Sequence, residues 1–167
     1  MMTQTAHMSD RIEVQRLIPA PAADVFQVLR DPRGHVAIDA SGMLQDATGE
    51  PVSAVGDTFT VHMDREALND YPLGKYDVGI RITTYEQDRE IAWTIESTML
   101  EPSIGHVYGY RLEDAPDGDG TLVTSYYDWS QIHEKYRGTL PFPVVPESAL
   151  RATLGILERT VAMNRRS

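Results

Sequence analysis

The sequence predicts an α+β fold: an antiparallel sheet of about seven strands with a long C-terminal helix on one face and two short helices after the first strand. Two observations carry this. Over residues 43 to 129, runs of alternating apolar and polar residues follow one another, separated by turn-forming Gly, Pro, Asp and Asn. Such one-sided alternation over consecutive strands is the pattern of an antiparallel sheet with a single covered face. After Pro146 no further proline occurs, so the stretch to Arg166 can run as one helix of about 30 Å.

Residues Arg11 to Ile18 set Ile12, Val14 and Arg16 against Glu13, Gln15 and Leu17, the period of a strand, and Pro19 ends it. Pro21 suits the start of a helix in which Val25, Phe26, Val28 and Leu29 form an apolar side. Asp31 and Pro32 repeat the signal for a second short helix, which Gly42 is expected to close. Six strands should follow, at 43–47, 56–63, 76–84, 90–96, 105–113 and 121–129. The segment 64–74 has room for a polar helical turn, 97–104 reads as an ordinary connection, and 130–145 as a packed crossover. Along the final helix, Leu150, Leu154, Leu157 and Val161 share one apolar flank and Ala149, Ala152, Ile156 and Met163 the other, with Thr153, Thr160 and Asn164 between them. Polar groups down the middle of an apolar face either pair with neighbours or turn toward a wet cavity.

A chain of 167 residues fits one domain, here expected over 11–167 with 1–10 as a flexible arm. The absence of cysteine excludes disulfides, thiolate nucleophiles, thiolate zinc sites and cysteine-ligated iron–sulfur clusters. A net charge of −10, scattered along the chain, repels phosphate backbones, so no nucleic-acid partner is expected. No apolar run reaches the roughly 18 residues of a membrane span and no secretory leader pattern precedes the first strand, which together predict a cytoplasmic protein without stable membrane insertion. Metal-ligand spacings such as His-x-x-x-His, phosphate-cradling glycine loops and dinucleotide fingerprints are missing, and neither metal nor cofactor is expected.

Four stretches resemble one known group: Asp-Pro-Arg-Gly-His at 31–35, Ile-Asp-Ala-Ser-Gly at 38–42, Ile-Ala-Trp at 91–93, and Gly-Thr-Leu-Val-Thr through Tyr-Asp-Trp-Ser at 120–130. Together with the element order over residues 11–164, they resemble the bacterial polyketide cyclase/dehydrase-like members of the START-like superfamily, also called SRPBCC or Bet v 1-like. The resemblance implies a helix-grip architecture in which a curved sheet wraps the last helix and leaves a cavity between them. It further implies binding of an apolar, partly oxygenated small molecule of polyketide, lipid or isoprenoid type, by a monomer or homodimer. A cyclase or dehydratase using the same cavity, and an interaction module like the Hsp90 activators, are the alternatives it leaves open.

Within that frame the candidate residues fall into two sets. His35 and Asp39 stand four apart on the second short helix, where the carboxylate would orient the imidazole; the same spacing fits a solvent-side pair worth a few tenths of a kcal/mol. With His106 they are the candidates for proton transfer, although an inward histidine also serves as a satisfied core residue. Trp93, Tyr108, Tyr110, Tyr127 and Trp129 share the inner strand faces, and aromatic rings with polar tips suit a mostly apolar pocket that orients a ligand. Thr153, Leu157 and Thr160 complete the expected ligand-binding set from the helix. His62 shares its strand face with threonines and is expected at the surface, while His133 and His7 are isolated.

Overall fold

The computed structural model describes residues 9–96 and 100–167. The arm predicted over 1–10, with His7, lies outside the described residues up to position 8, as do 97–99 of the predicted connection. Seven strands form one antiparallel sheet in the order β1-β7-β6-β5-β4-β3-β2. They are β1 (Arg11–Ile18), β2 (Leu44–Thr48), β3 (Thr58–Asp64), β4 (Lys75–Glu86), β5 (Glu90–Glu96), β6 (Val107–Asp114) and β7 (Thr121–Asp128). Helices α1 (Ala22–Arg30) and α2 (Pro32–Ile38) follow β1, and α3 (Glu147–Arg166) closes the chain. Register shifts between Leu44 and Asp46 and between Ile82 and Thr84 bend the sheet, which curves without closing into a barrel.

Asp31 joins the two short helices. It is the C-cap of α1 and the N-cap of α2, where its carboxylate accepts the Arg33 amide at 3.0 Å and Pro32 fills the first helical position. The corner is tight: a Cβ on Gly34 would stand 1.8 Å from the Val28 carbonyl oxygen, so only glycine fits. Helix α2 ends at Ile38, four residues before the glycine expected to close it. Asp39 stops it by turning its carboxylate to the backbone amides of Ser41 and Leu44, at 3.0 and 3.1 Å, a local bond that competes with helix continuation.

The concave face holds the core and the convex face is polar. Strand residues predicted to face inward, including Val14, Phe59, Val61, Ile80 and Ile91, are buried with Val25, Phe26 and Leu29 of α1. Helix α3 packs on β1, α1 and α2 through Leu150, Leu154, Leu157 and Val161, all buried. The second flank departs from expectation. Ala149 and Ile156 are half-buried, but Ala152 and Met163, 56% exposed, face solvent, as does Asn164 from between the flanks, because the sheet wraps only one side of the helix. Arg16, on the inner period of β1, reaches past the core edge to Glu158 of α3 at 2.8 Å. The crossover packs as predicted, with Ile132 and Tyr136 buried and Phe142 and Val145 against the core. A short 3₁₀ turn at Glu66–Leu68 occupies the expected polar segment.

Candidate functional site

Between the N-terminal half of α3 and the sheet lies a cavity of about 230 Å³, open to solvent. Its walls are hydrocarbon over most of their area, from residues such as Ile38, Val61, Met63, Val78, Ile80 and Leu150. Trp93, Tyr108 and Tyr110 form an aromatic wall in which Trp93 stacks on Tyr108, centroids 6.0 Å apart and planes 12° from parallel. Adjacent strands explain this, since Trp93 of β5 is the register partner of Tyr108 of β6. His35, Asp39, Ser41 and Thr153 bring polar atoms to the lining.

His35 stands edge-on to Trp93, with centroids 4.6 Å apart, and its Nε2 lies 2.9 Å from the Leu29 carbonyl oxygen. A carbonyl only accepts, so Nε2 donates and Nδ1 of the neutral ring is left as an acceptor. Burial pushes the imidazole down to about 4, against the opposing pull of the Leu29 carbonyl, so the ring is neutral near pH 7. The predicted His35–Asp39 couple is not formed. The Asp39 carboxylate serves the turn after α2, accepting the Ser41 hydroxyl at 2.7 Å as well as the two amides, and the imidazole is oriented by the backbone instead. Burial also raises the Tyr108 and Tyr110 hydroxyls well above the ordinary phenol range, so both stay protonated and able to donate. Tyr108 makes no side-chain hydrogen bond among the described residues, whereas Tyr110 has the Ser125 hydroxyl beside it.

No protein-family model and no curated protein matches the sequence. Solved structures do. The AHSA1-like protein from Aeromonas hydrophila is 16% identical, with 94% of this chain and 95% of that one covered at a TM-score of 0.60. The Aha1 dimer from Colwellia psychrerythraea is also 16% identical, over 90% and 95% of the two chains, at 0.57. DynU16, from the dynemicin biosynthetic locus, is 17% identical over 94% of this chain and 49% of its own, at 0.57. The fold shared with these structures is a helix grip, a curved antiparallel sheet around a long C-terminal helix.

In this helix grip the expected site residues divide. His35, Asp39, Trp93, Tyr108, Tyr110 and Thr153 line the cavity; His106, Tyr127, Trp129, Leu157 and Thr160 do not. His106 is buried, and its Nδ1 meets the Tyr127 hydroxyl at 2.7 Å. The Val144 backbone lies beside that same hydroxyl, which brings the crossover against the sheet. Burial pushes His106 down to about 4 as well. Trp129 stacks on Tyr127, and Leu157 is fully buried among hydrocarbon. Thr160 spends its hydroxyl on the Ile156 carbonyl one turn back, at 2.8 Å. The aliphatic walls from β3 and β4 and the lining residues Met43, Ser41 and Val145 were not among the candidates. The alternation that groups Phe59, Val61 and Met63, and Val78 with Ile80, carried the signal for the walls, while those three lining residues belong to no period.

Proposed function

We propose that the cavity binds a compact, neutral, largely apolar molecule carrying one or two oxygen groups, of the polyketide, lipid or isoprenoid kind. One observation carries this reading: hydrocarbon and aromatic walls interrupted by a few fixed polar groups, a neutral imidazole acceptor and two protonated phenols. Among the described residues no Lys or Arg lines the cavity, so a buried ligand carboxylate would lack a counter-charge and cost several kcal/mol. The volume, below the roughly 300 Å³ at which drug-sized pockets begin, favours one or two rings or a short chain.

Two features favour binding over the alternatives. A histidine held near 4 is a poor proton acceptor at pH 7, which counts against a cyclase mechanism centred on His35. The convex sheet face carries ion pairs such as Arg11–Glu13, Arg81–Glu96 and Arg111–Glu13, in place of the apolar patch an interaction module of that face needs. The test is native mass spectrometry of the protein from its own source, followed by titration with 2-naphthol as a neutral probe and 2-naphthoate as an anionic one. A retained neutral ligand, or naphthol binding that Ala149→Trp abolishes, is the expected result. Naphthol affinity unchanged in Ala149→Trp, or naphthoate bound as tightly as naphthol, overturns it.

A further inference from the structure

The convex face, away from α3 and the cavity, carries a second group of reactive side chains. Three neighbouring strands supply one residue each: Thr48 from β2, His62 from β3 and Asp77 from β4. His62 is the register partner of Asp77, and Thr48 pairs with Thr60, two positions before His62 on the same face. Thr48 Oγ1 lies 2.7 Å from His62 Nε2, and His62 Nδ1 lies 2.8 Å from Asp77 Oδ1. An ionised carboxylate only accepts, so Nδ1 carries the proton of the neutral ring and Nε2 is left to accept from the threonine hydroxyl. Nucleophile, base and orienting carboxylate thus stand in the order, and at the distances, that activate an alcohol.

The backbone beside Thr48 adds to this. Gly49 has a φ of +144°, and a Cβ there would stand 2.7 Å from the Phe59 Cβ, so the kink after the hydroxyl requires glycine. β2 is an edge strand, so the backbone that follows Thr48 has a partner strand on one side only.

We propose that Thr48, His62 and Asp77 form a second site that takes a small acyl group from an activated aryl ester onto the Thr48 hydroxyl and passes it to water. Thr48 Oγ1 adds to the ester carbonyl carbon as its proton moves to His62 Nε2. The carbon–aryloxide bond breaks, and the aryloxide leaves with that proton as the phenol. Water then adds to the acyl carbon, giving a proton to Nε2; the carbon–Oγ1 bond breaks, Nε2 returns the proton to Oγ1, and the carboxylic acid departs. The ester must be activated because the site is open: 38% of the His62 side chain and 63% of the Asp77 side chain are exposed, so water is not excluded.

The probe is p-nitrophenyl acetate on the whole chain, read as p-nitrophenol release and by peptide mapping of the acetylated protein. Acetyl is expected on the peptide holding Thr48, with Thr48→Val and His62→Gln each slowing release about 100-fold or more and Thr48→Ser retaining it. Asp77→Asn, a change of a positioning residue, should lower kcat about 10-fold or more with KM unchanged, since it releases the ring tautomer without touching the ester. Thr60→Val, on the same face, should leave the rate alone, and all variants should melt within about 2 °C of the parent. Acetyl found only on Lys75 or His62, or a Thr48→Val variant as fast as the parent, overturns the proposal.

Discussion

The two halves of α3 rest on different beds. From Leu154 to Val161 the helix lies on β1 and α1 in a dry, filled interior, where Leu157 is wholly inaccessible and Leu154 and Val161 nearly so. From Ala149 to Thr153 the same helix roofs a cavity. The difference arises from what stands opposite. Phe26 and Leu29 of α1 fill the space under the C-terminal half, whereas α2 stops at Ile38 and Asp39 turns the chain away. A short helix that ends early leaves the space of the cavity unfilled. Stability should therefore reside in one half of α3 and binding in the other.

The largest effect is expected from breaking the dry half. Leu157→Ala should cost about 2 to 5 kcal/mol, seen as a lower urea midpoint, with naphthol affinity per folded molecule retained. A loss below about 1 kcal/mol would mean that this end is as loosely filled as the cavity.

Acid should weaken the fold next. His35 and His106 titrate near 4 when folded and near 6.5 when unfolded, so between those values the unfolded chain binds more protons. The stability that their neutrality contributes is complete above about pH 6.5, falls as pH drops toward 4, and levels off below it, with each histidine contributing on the order of 2 kcal/mol by pH ~5. Urea midpoints at about pH 7.5 and 5 should differ less in His35→Gln or His106→Gln than in the parent. An equal drop in all three would remove both histidines from the acid response.

A change at the crossover should be smaller. Tyr127→Phe leaves His106 Nδ1 without its hydroxyl partner, at a cost of about 1 to 3 kcal/mol, with the cavity walls unaltered. Calorimetry and naphthol titration on one sample separate the two readouts. The smallest expected effect sharpens the comparison most. Thr153→Val should change stability by no more than about 0.5 kcal/mol but shift ligand affinity, because Thr153 faces the cavity. Thr160→Val should shift neither by much, since its hydroxyl bonds only the Ile156 carbonyl of its own helix. Equal affinity shifts in the two threonine variants would show that the halves of α3 are not distinct.

The fold was legible in the residues because period-two alternation and a proline-free terminal stretch each report a property of the backbone itself. Strands 11–18 and 90–96 were read to the residue, and the others within about two residues, as expected where fraying ends blur any boundary. The cavity was only half legible, because alternation says which face a side chain takes and not how far along the sheet it lies. Tyr108 and Tyr127 share the inner face in neighbouring strands and are register partners, yet one lines the cavity and the other is consumed by His106. The His35–Asp39 couple failed for a local reason: four-residue spacing implies contact only inside a helix, and the carboxylate ended the helix to satisfy two amides. The thread Thr48–His62–Asp77 joins three consecutive strands at separations of 14 and 15 residues, which only their register brings together, so the threonines seen around His62 marked the surface but not the triad.

Pro146 opens α3 without a side-chain cap, while the other end is tied by Arg16 to Glu158 and by Arg165 to Asp24 at 3.5 Å. The ion pair of the first turn, Glu147 with Arg151, is internal to the helix and fastens it to nothing else. Deuterium uptake along this one helix should then be graded, rapid for amides over the cavity and limited by global unfolding from Leu154 onward. If the proposed ligand leaves by way of that first turn, it should exchange on the timescale of a local opening, of order microseconds to milliseconds, while the sheet stays intact.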